Sequence, residues 1–127
     1  MSDLNRKHNR IVWTDIPVVD LERAVNFYRE VLDISVAIES YGDVSFAVLE
    51  HELGNGGCLV VAPENVSTKG PLNYFNVHGR IYSALANAKN LGATVIEEVQ
   101  AIGPHGFRAV IIDSEGNRIA LHSEIDE

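Results

Sequence analysis

The sequence predicts an α+β domain built from two βαβββ modules in tandem. Three observations carry this prediction. The same order of strand-like and helix-like patterns occurs twice, over residues 11–62 and 72–122. A shift of 59 positions superposes Val18 on Val77, Leu32 on Leu91 and Val36 on Val95. Between the runs lies Pro63–Pro71, a polar stretch with a proline at each end and Gly70 inside, which reads as a linker.

The first module opens on Ile11–Val18, rich in β-branched residues. Leu21, Ala24, Val25, Tyr28, Val31 and Leu32 then recur at the spacing of a helix with one apolar face. Asp20 suits its N-cap, and Asp33 stands where a stop residue is needed. Ile34–Glu39, Val44–Leu49 and Cys58–Ala62 follow as strands, divided by Ser40–Asp43 and by the loop Glu50–Gly57. The second module repeats the order. Leu72–Val77 is its first strand, and Ile81, Ala84, Leu85, Ala88 and Leu91 mark its helix. That helix lacks a good cap near His78-Gly79 and stops at Gly92. Thr94–Val99, Phe107–Ile112 and Arg118–His122 are its last strands, separated by Ile102–Gly106 and Asp113–Asn117.

Composition bounds the function. At 127 residues the chain is one domain, long enough to bury roughly two-thirds of its unfolded surface. With 46% apolar and 22% charged residues it is not a disordered chain. Eighteen acids against ten bases give −8, and the only basic cluster is Arg6-Lys7, so nucleic acid is an unsuitable partner. Cys58 is alone, which leaves no intramolecular disulfide and no cysteine-based zinc site. Residues 1–9 form a polar tail without a leader's apolar stretch, and no run approaches the ~18 apolar residues of a membrane span. A cytoplasmic protein with no membrane partner is the expectation.

Two motifs point to a family. Val18-Val-Asp-Leu-Glu-Arg-Ala-Val-Asn-Phe-Tyr-Arg-Glu-Val-Leu32 opens the first helix, and Asp113-Ser-Glu-Gly-Asn-Arg-Ile-Ala-Leu-His-Ser123 closes the second module. With the paired modules, they resemble the vicinal oxygen chelate superfamily, which includes glyoxalase I, bleomycin-resistance proteins and extradiol dioxygenases. The second motif is similar to the signature of a branch described as related to lactoylglutathione lyase. The resemblance spans residues 10–123. It implies a curved, half-open mixed sheet around a cavity, completed within one chain or across a homodimer.

In the enzymes of that superfamily, four inward His or Glu side chains hold a divalent metal. They come from the first and last strands of each module. Carried over residue by residue, these positions are Trp13, Val60 or Val61, Leu72 and Ala120. None offers the N, O or S donors a divalent cation needs. The resemblance therefore implies the fold without the usual metal, no cofactor, and a small organic molecule in the cavity. The alternative is a metal-dependent lyase, isomerase or dioxygenase with ligands drawn from His51, Glu52, His105 or His122. A third reading is metal-free catalysis by His122 with Arg118.

Strand alternation then names the cavity face. Trp13 and Asp15 point inward while Val12, Thr14 and Ile16 pack against helices. Leu72, Tyr74 and Asn76 oppose Phe75 and Val77, and Arg118, Ala120 and His122 oppose Ile119 and Leu121. Trp13, Tyr74, Leu72 and Ala120 are the expected apolar walls; Asp15, Asn76, Arg118 and His122 are the expected polar groups. Arg118 has the planar fork that clamps a carboxylate or phosphate, and His122 is the candidate acid or base. Each has a plainer role. Arg118 can pair with Asp113, Glu115 or Asp15, His122 can be a solvated strand end, and Trp13 and Tyr74 can be core. His105 lies between two glycines in a loop that can act as a lid or as an ordinary connection. Glu50-His51-Glu52 places three metal donors in a row, though alternation separates them. Cys58 reads as a small buried hydrophobe. His8 and His78 have surface contexts. No phosphate loop, nucleophile elbow or dinucleotide fingerprint is present.

Overall fold

A computed structural model describes residues 9–127, so His8, the Arg6-Lys7 pair and nearly all of the polar tail lie outside the described residues. The first module holds β1 (Trp13–Val18), α1 (Leu21–Leu32), β2 (Val36–Tyr41), β3 (Val44–Leu49) and β4 (Gly56–Val61). The second holds β5 (Asn73–Asn76), α2 (Ile81–Asn90), β6 (Thr94–Ala101), β7 (Phe107–Ile112) and β8 (Arg118–Ser123). Single 3-10 turns cover Pro63–Asn65 and Gly103–His105. Each module makes one four-stranded mixed sheet, in the orders β1-β4-β3-β2 and β5-β8-β7-β6. The first and last strands of each module pair parallel, and the other pairs are antiparallel. The two βαβββ units are thus confirmed.

Alternation builds the core as expected. Ile16, Val18, Ala47, Leu49 and Leu59 face the helices from the first sheet. Phe75, Val77, Ala109, Ile111, Ile119 and Leu121 do so from the second. One apolar cluster joins both sets to Ala24, Val25, Tyr28 and Val31 of α1 and Ile81, Ala84, Leu85 and Ala88 of α2. Phe27 is also buried although it lies off the expected stripe, because α1 packs against α2 as well as against its sheet. Val12, expected to pack inward against helices, precedes β1 and stays 64% exposed.

The expected strand of Cys58–Ala62 begins two residues earlier, at Gly56. Its glycines read as loop residues, yet Gly57 is required by packing: a Cβ there would sit 2.6 Å from the Thr14 carbonyl oxygen on β1. β6 runs to Ala101 and absorbs two register shifts against β7.

The five-residue turn between β7 and β8 ties the modules together. Asp113 is buried, and its Oδ1 accepts from the backbone N–H groups of Glu115, Gly116 and Asn117. Its Oδ2 accepts from the buried Tyr28 hydroxyl at 2.5 Å, across 85 residues of sequence. Burial first, then the Asp113 charge and hydrogen bond, push the Tyr28 pKa well above its ordinary value. Glu115 reaches the start of α1 and accepts from the N–H groups of Val19 and Asp20 at 2.9 and 2.8 Å. It also takes both Nε and Nη2 of Arg23, at 2.7 and 3.0 Å. Burial alone would raise the Glu115 pKa; the hydrogen bonds from Arg23, Asp20, Ser114 and Val19 outweigh it and hold the pKa at about 2. At the other end of α1, Arg80 donates to the Val31 carbonyl at 2.8 Å and Asn87 to that of Glu30 at 3.3 Å. Module two therefore supplies an anion to the N-terminus of α1 and a cation to its C-terminus, the arrangement the helix dipole favours.

Among the described residues, no helix is long and apolar enough to cross a membrane.

Candidate ligand-binding clefts

Register assigns the faces. Gly56, Cys58 and Val60 stand beside Trp13, Asp15 and Pro17, so Val60 rather than Val61 shares the face of Trp13. The Cys58 thiol confirms the pairing by donating to Asp15 at 3.2 Å. Burial first, and then that hydrogen bond, push the thiol pKa up, so Cys58 stays protonated and is a poor nucleophile. Across the second sheet, Tyr74 stands beside Ala120 and Asn76 beside His122.

Two clefts open near these faces. The larger, about 580 Å³, lies where the terminal strands β1 and β5 leave a gap between the sheets. Trp13, Tyr74, Leu72 and Asn76 line it, with Glu50, His51, Glu52 and Asn55 from the β3–β4 loop and Leu32 from the end of α1. The smaller, about 440 Å³, lies on module two between Tyr74, Ile102, His105, Arg108 and His122. Tyr74 borders both.

The expected site residues are thus divided. Trp13, Leu72, Tyr74 and Asn76 meet at the larger cleft, and Tyr74 and His122 at the smaller. Asp15, Arg118 and Ala120 line neither. Ala120 lies on the expected face but is fully buried, so it offers no wall to a ligand. Arg118 takes neither of its anticipated acidic partners near the turn. Asp113 is occupied by the turn's own N–H groups and Glu115 by Arg23, so Arg118 donates to the Gly70 carbonyl at 2.9 Å. Asp15 is engaged by the Cys58 thiol rather than by Arg118. His122 and Arg118 accordingly do not share a cleft.

His122 is anchored. Its Nε2–H donates to the His105 carbonyl at 2.6 Å, and its ring stands 6.1 Å from that of Tyr74. The His105 turn is held in return, since Ile102 N–H donates to the Gly106 carbonyl at 2.9 Å. Gly106 has φ +94°, and a Cβ there would meet the Ser123 carbonyl oxygen at 2.5 Å.

One residue escaped the sequence reading, and a second has a role other than the one read for it. Arg108 donates to the Tyr74 hydroxyl and to Glu97 at 3.2 Å, with its guanidinium carbon 5.9 Å from the Tyr74 ring centre. The signal was available: pairing Ile112 with Arg118 across the β7–β8 turn sets Arg108 opposite His122. His51, weighed only as a metal donor, gives Nδ1–H to the Leu49 carbonyl at 3.0 Å and meets the Trp13 ring edge-on at 5.3 Å. Its ring lies over Gly56, where a Cβ would come within 2.9 Å of Nδ1. That contact joins loop and strand, and sequence periodicity carries no trace of it.

At the four positions that the resemblance assigns to the superfamily's metal, the residues present do not fit a divalent cation. Trp13, Val60, Leu72 and Ala120 supply no metal donor, and among the described residues no three His, Cys, Asp or Glu side chains converge. His51 and Glu52 border one cleft while His105 and His122 border the other.

No curated protein matches the chain. Among solved structures, a glyoxalase/bleomycin resistance protein/dioxygenase family enzyme from Burkholderia phytofirmans PsJN aligns with TM-score 0.69 and 20% identity, covering 88% of this chain and 96% of that one. The fosfomycin resistance protein FosX from Listeria monocytogenes aligns with TM-score 0.68 and 14% identity, covering 89% and 91%. A V278E mutant of glyoxalase I from Zea mays aligns at TM-score 0.68 and 17% identity; 89% of this chain covers 45% of that longer one. The profile of the Glyoxalase/Bleomycin resistance protein/Dioxygenase superfamily matches residues 10–121, and the chain belongs to that superfamily.

Proposed function

We propose that this chain binds a small organic molecule in the cleft between β1 and β5, without a divalent metal at the superfamily's usual position. One observation carries the reading: the four positions that would hold the metal are Trp13, Val60, Leu72 and Ala120, and two of them, Trp13 and Leu72, instead line the larger cleft. A cleft of about 580 Å³ with aromatic walls and a few polar groups has the size and lining of a small-molecule site. The solved structures of similar fold include a glyoxalase I and a fosfomycin resistance protein, so family membership alone selects neither binding nor catalysis. Should the chain catalyse a reaction, resemblance points to a lyase or isomerase. The single buried thiol suits a reducing, cytoplasmic setting.

The test is thermal unfolding of metal-stripped protein with Zn²⁺, Ni²⁺, Mn²⁺ or Fe²⁺ added in turn. Metal bound only by the native state raises Tm by mass action. No rise is expected; a saturable rise of several degrees would instead support a metal-dependent enzyme with unusual ligands.

We also propose that the protein is a homodimer. β1, β2, β5 and β6 are terminal strands of their sheets, and β2 with its neighbour exposes Ile38, Tyr41 and Val44. Light scattering is expected to give twice the chain mass at micromolar concentration; the mass of one chain would refute it.

A further inference from the structure

The two clefts differ in their charged lining, acidic side chains in one and an arginine in the other, on either side of one side chain. Among the described residues, Glu50 and Glu52 line the larger, with no lysine or arginine. Arg108, His105 and His122 line the smaller, with no acid among the described residues. Tyr74 is their shared wall, held by its hydrogen bond to Arg108 and by the His122 ring.

The polar atoms sort the same way. In the larger cleft, His51 is tied by its Nδ1–H to the Leu49 carbonyl. Glu50 spends one oxygen on the Ser35 N–H at 2.9 Å and keeps the other. Glu50 and Glu52 can only accept when ionised, and Trp13 adds an aromatic surface of the kind that attracts a cation. In the smaller cleft, Arg108 satisfies Nη1 on Tyr74 and Nη2 on Glu97, while its buried Nε has no partner. Glu97 offsets part of that charge but does not line the cleft.

We infer that the bound molecule is bipolar, with a protonated amine on an aromatic or apolar body in the larger cleft and a carboxylate reaching past Tyr74 to Arg108. This inference rests on the small-molecule reading and adds the ligand class. A ligand with one charge satisfies one cleft and leaves the other unused. A plain anion is also repelled by the two glutamates at the larger cleft.

Three probes separate the possibilities by NMR titration: 4-(aminomethyl)phenylacetate, 4-methylbenzylamine and 4-methylphenylacetate. The bipolar probe is expected to bind about tenfold tighter than either analogue, the difference one charge-assisted contact makes. In R108Q the bipolar probe loses its carboxylate contact, and its advantage over the amine disappears. In E50Q/E52Q the advantage over the acid disappears. If the analogues bind the wild-type clefts as tightly as the bipolar probe, the inference is overturned and the small-molecule reading stands. If no probe shifts resonances of either cleft at millimolar concentration, both are overturned. The comparison among probes uses wild-type protein, so it holds even where a variant folds poorly.

Discussion

The two modules share a strand order and differ in the face each sheet turns away from its helix. On the first sheet that face carries Trp13, Phe46, Val48, Cys58 and Val60, with Asp15 and Glu39 its only charges. On the second it carries Tyr74, Asn76, Glu97, Arg108, Arg118 and His122 beside the apolar Val110, Ile112 and Ala120. The helices differ as well. Both ends of α1 are held from module two, by Glu115 at one end and by Arg80 and Asn87 at the other. α2 has no side-chain cap, and the chain's own last residues close it: the Ile81 N–H meets the Glu127 carbonyl, and the Gly79 N–H meets the Ser123 hydroxyl. One topology thus serves two jobs. Module one offers an apolar surface and depends on its neighbour; module two supplies the neighbour's caps and most of the polar groups.

Breaking that dependence should cost most at Asp113. Asp113→Ala leaves three turn N–H groups and the Tyr28 hydroxyl without their acceptor, so we expect a loss of about 3–5 kcal/mol in urea unfolding. Glu115 comes next, and its effect is visible in pH. Its folded pKa of about 2 lies below the ordinary 4.5, so its charge stabilises the fold above pH 4.5, and that contribution fades as pH falls toward 2. The contribution is about 3 kcal/mol, and Glu115→Gln should flatten that part of the acid-unfolding curve. Tyr28→Phe removes one buried donor and leaves Asp113 its other partners, a loss of about 1–2 kcal/mol. Arg118→Gln sharpens the contrast from the other side. Its hydrogen bond to Gly70 is exposed and joins no module to another, so unfolding should change by less than about 0.5 kcal/mol.

Local chemistry was legible in the sequence. The helical stripe, the Asp20 cap and the αL stop at Asp33 depend on residues within one turn of each other, and they appear as read. Alternation separated the exposed Trp13, Tyr74 and Asn76 from the buried Ile16, Phe75 and Val77, although Thr14 and Phe75, expected on the helix side, also line the larger cleft. What alternation lacks is distance. It grouped Ala120 with the cavity walls, although neighbours bury it completely, and it grouped Arg118 with His122, although only His122 reaches a cleft. The motif Asp113–Asn117, read as a family signature, proves to be the clamp between modules; its partners Val19, Arg23 and Tyr28 lie more than 80 residues away. Gly56 and Gly57 misled for a related reason. Their loop-like composition answers to two close contacts, with His51 and with Thr14.

We propose that a ligand occupies the gap between β1 and β5, beside the apolar Trp13 and Leu72 that stand where the resemblance places metal ligands. The most direct measurement is a crystal structure of protein purified natively, without added metal or chelator. The account expects density for an organic molecule packed against Trp13 and Tyr74. A metal ion coordinated by His51, Glu52, His105 or His122 would contradict it.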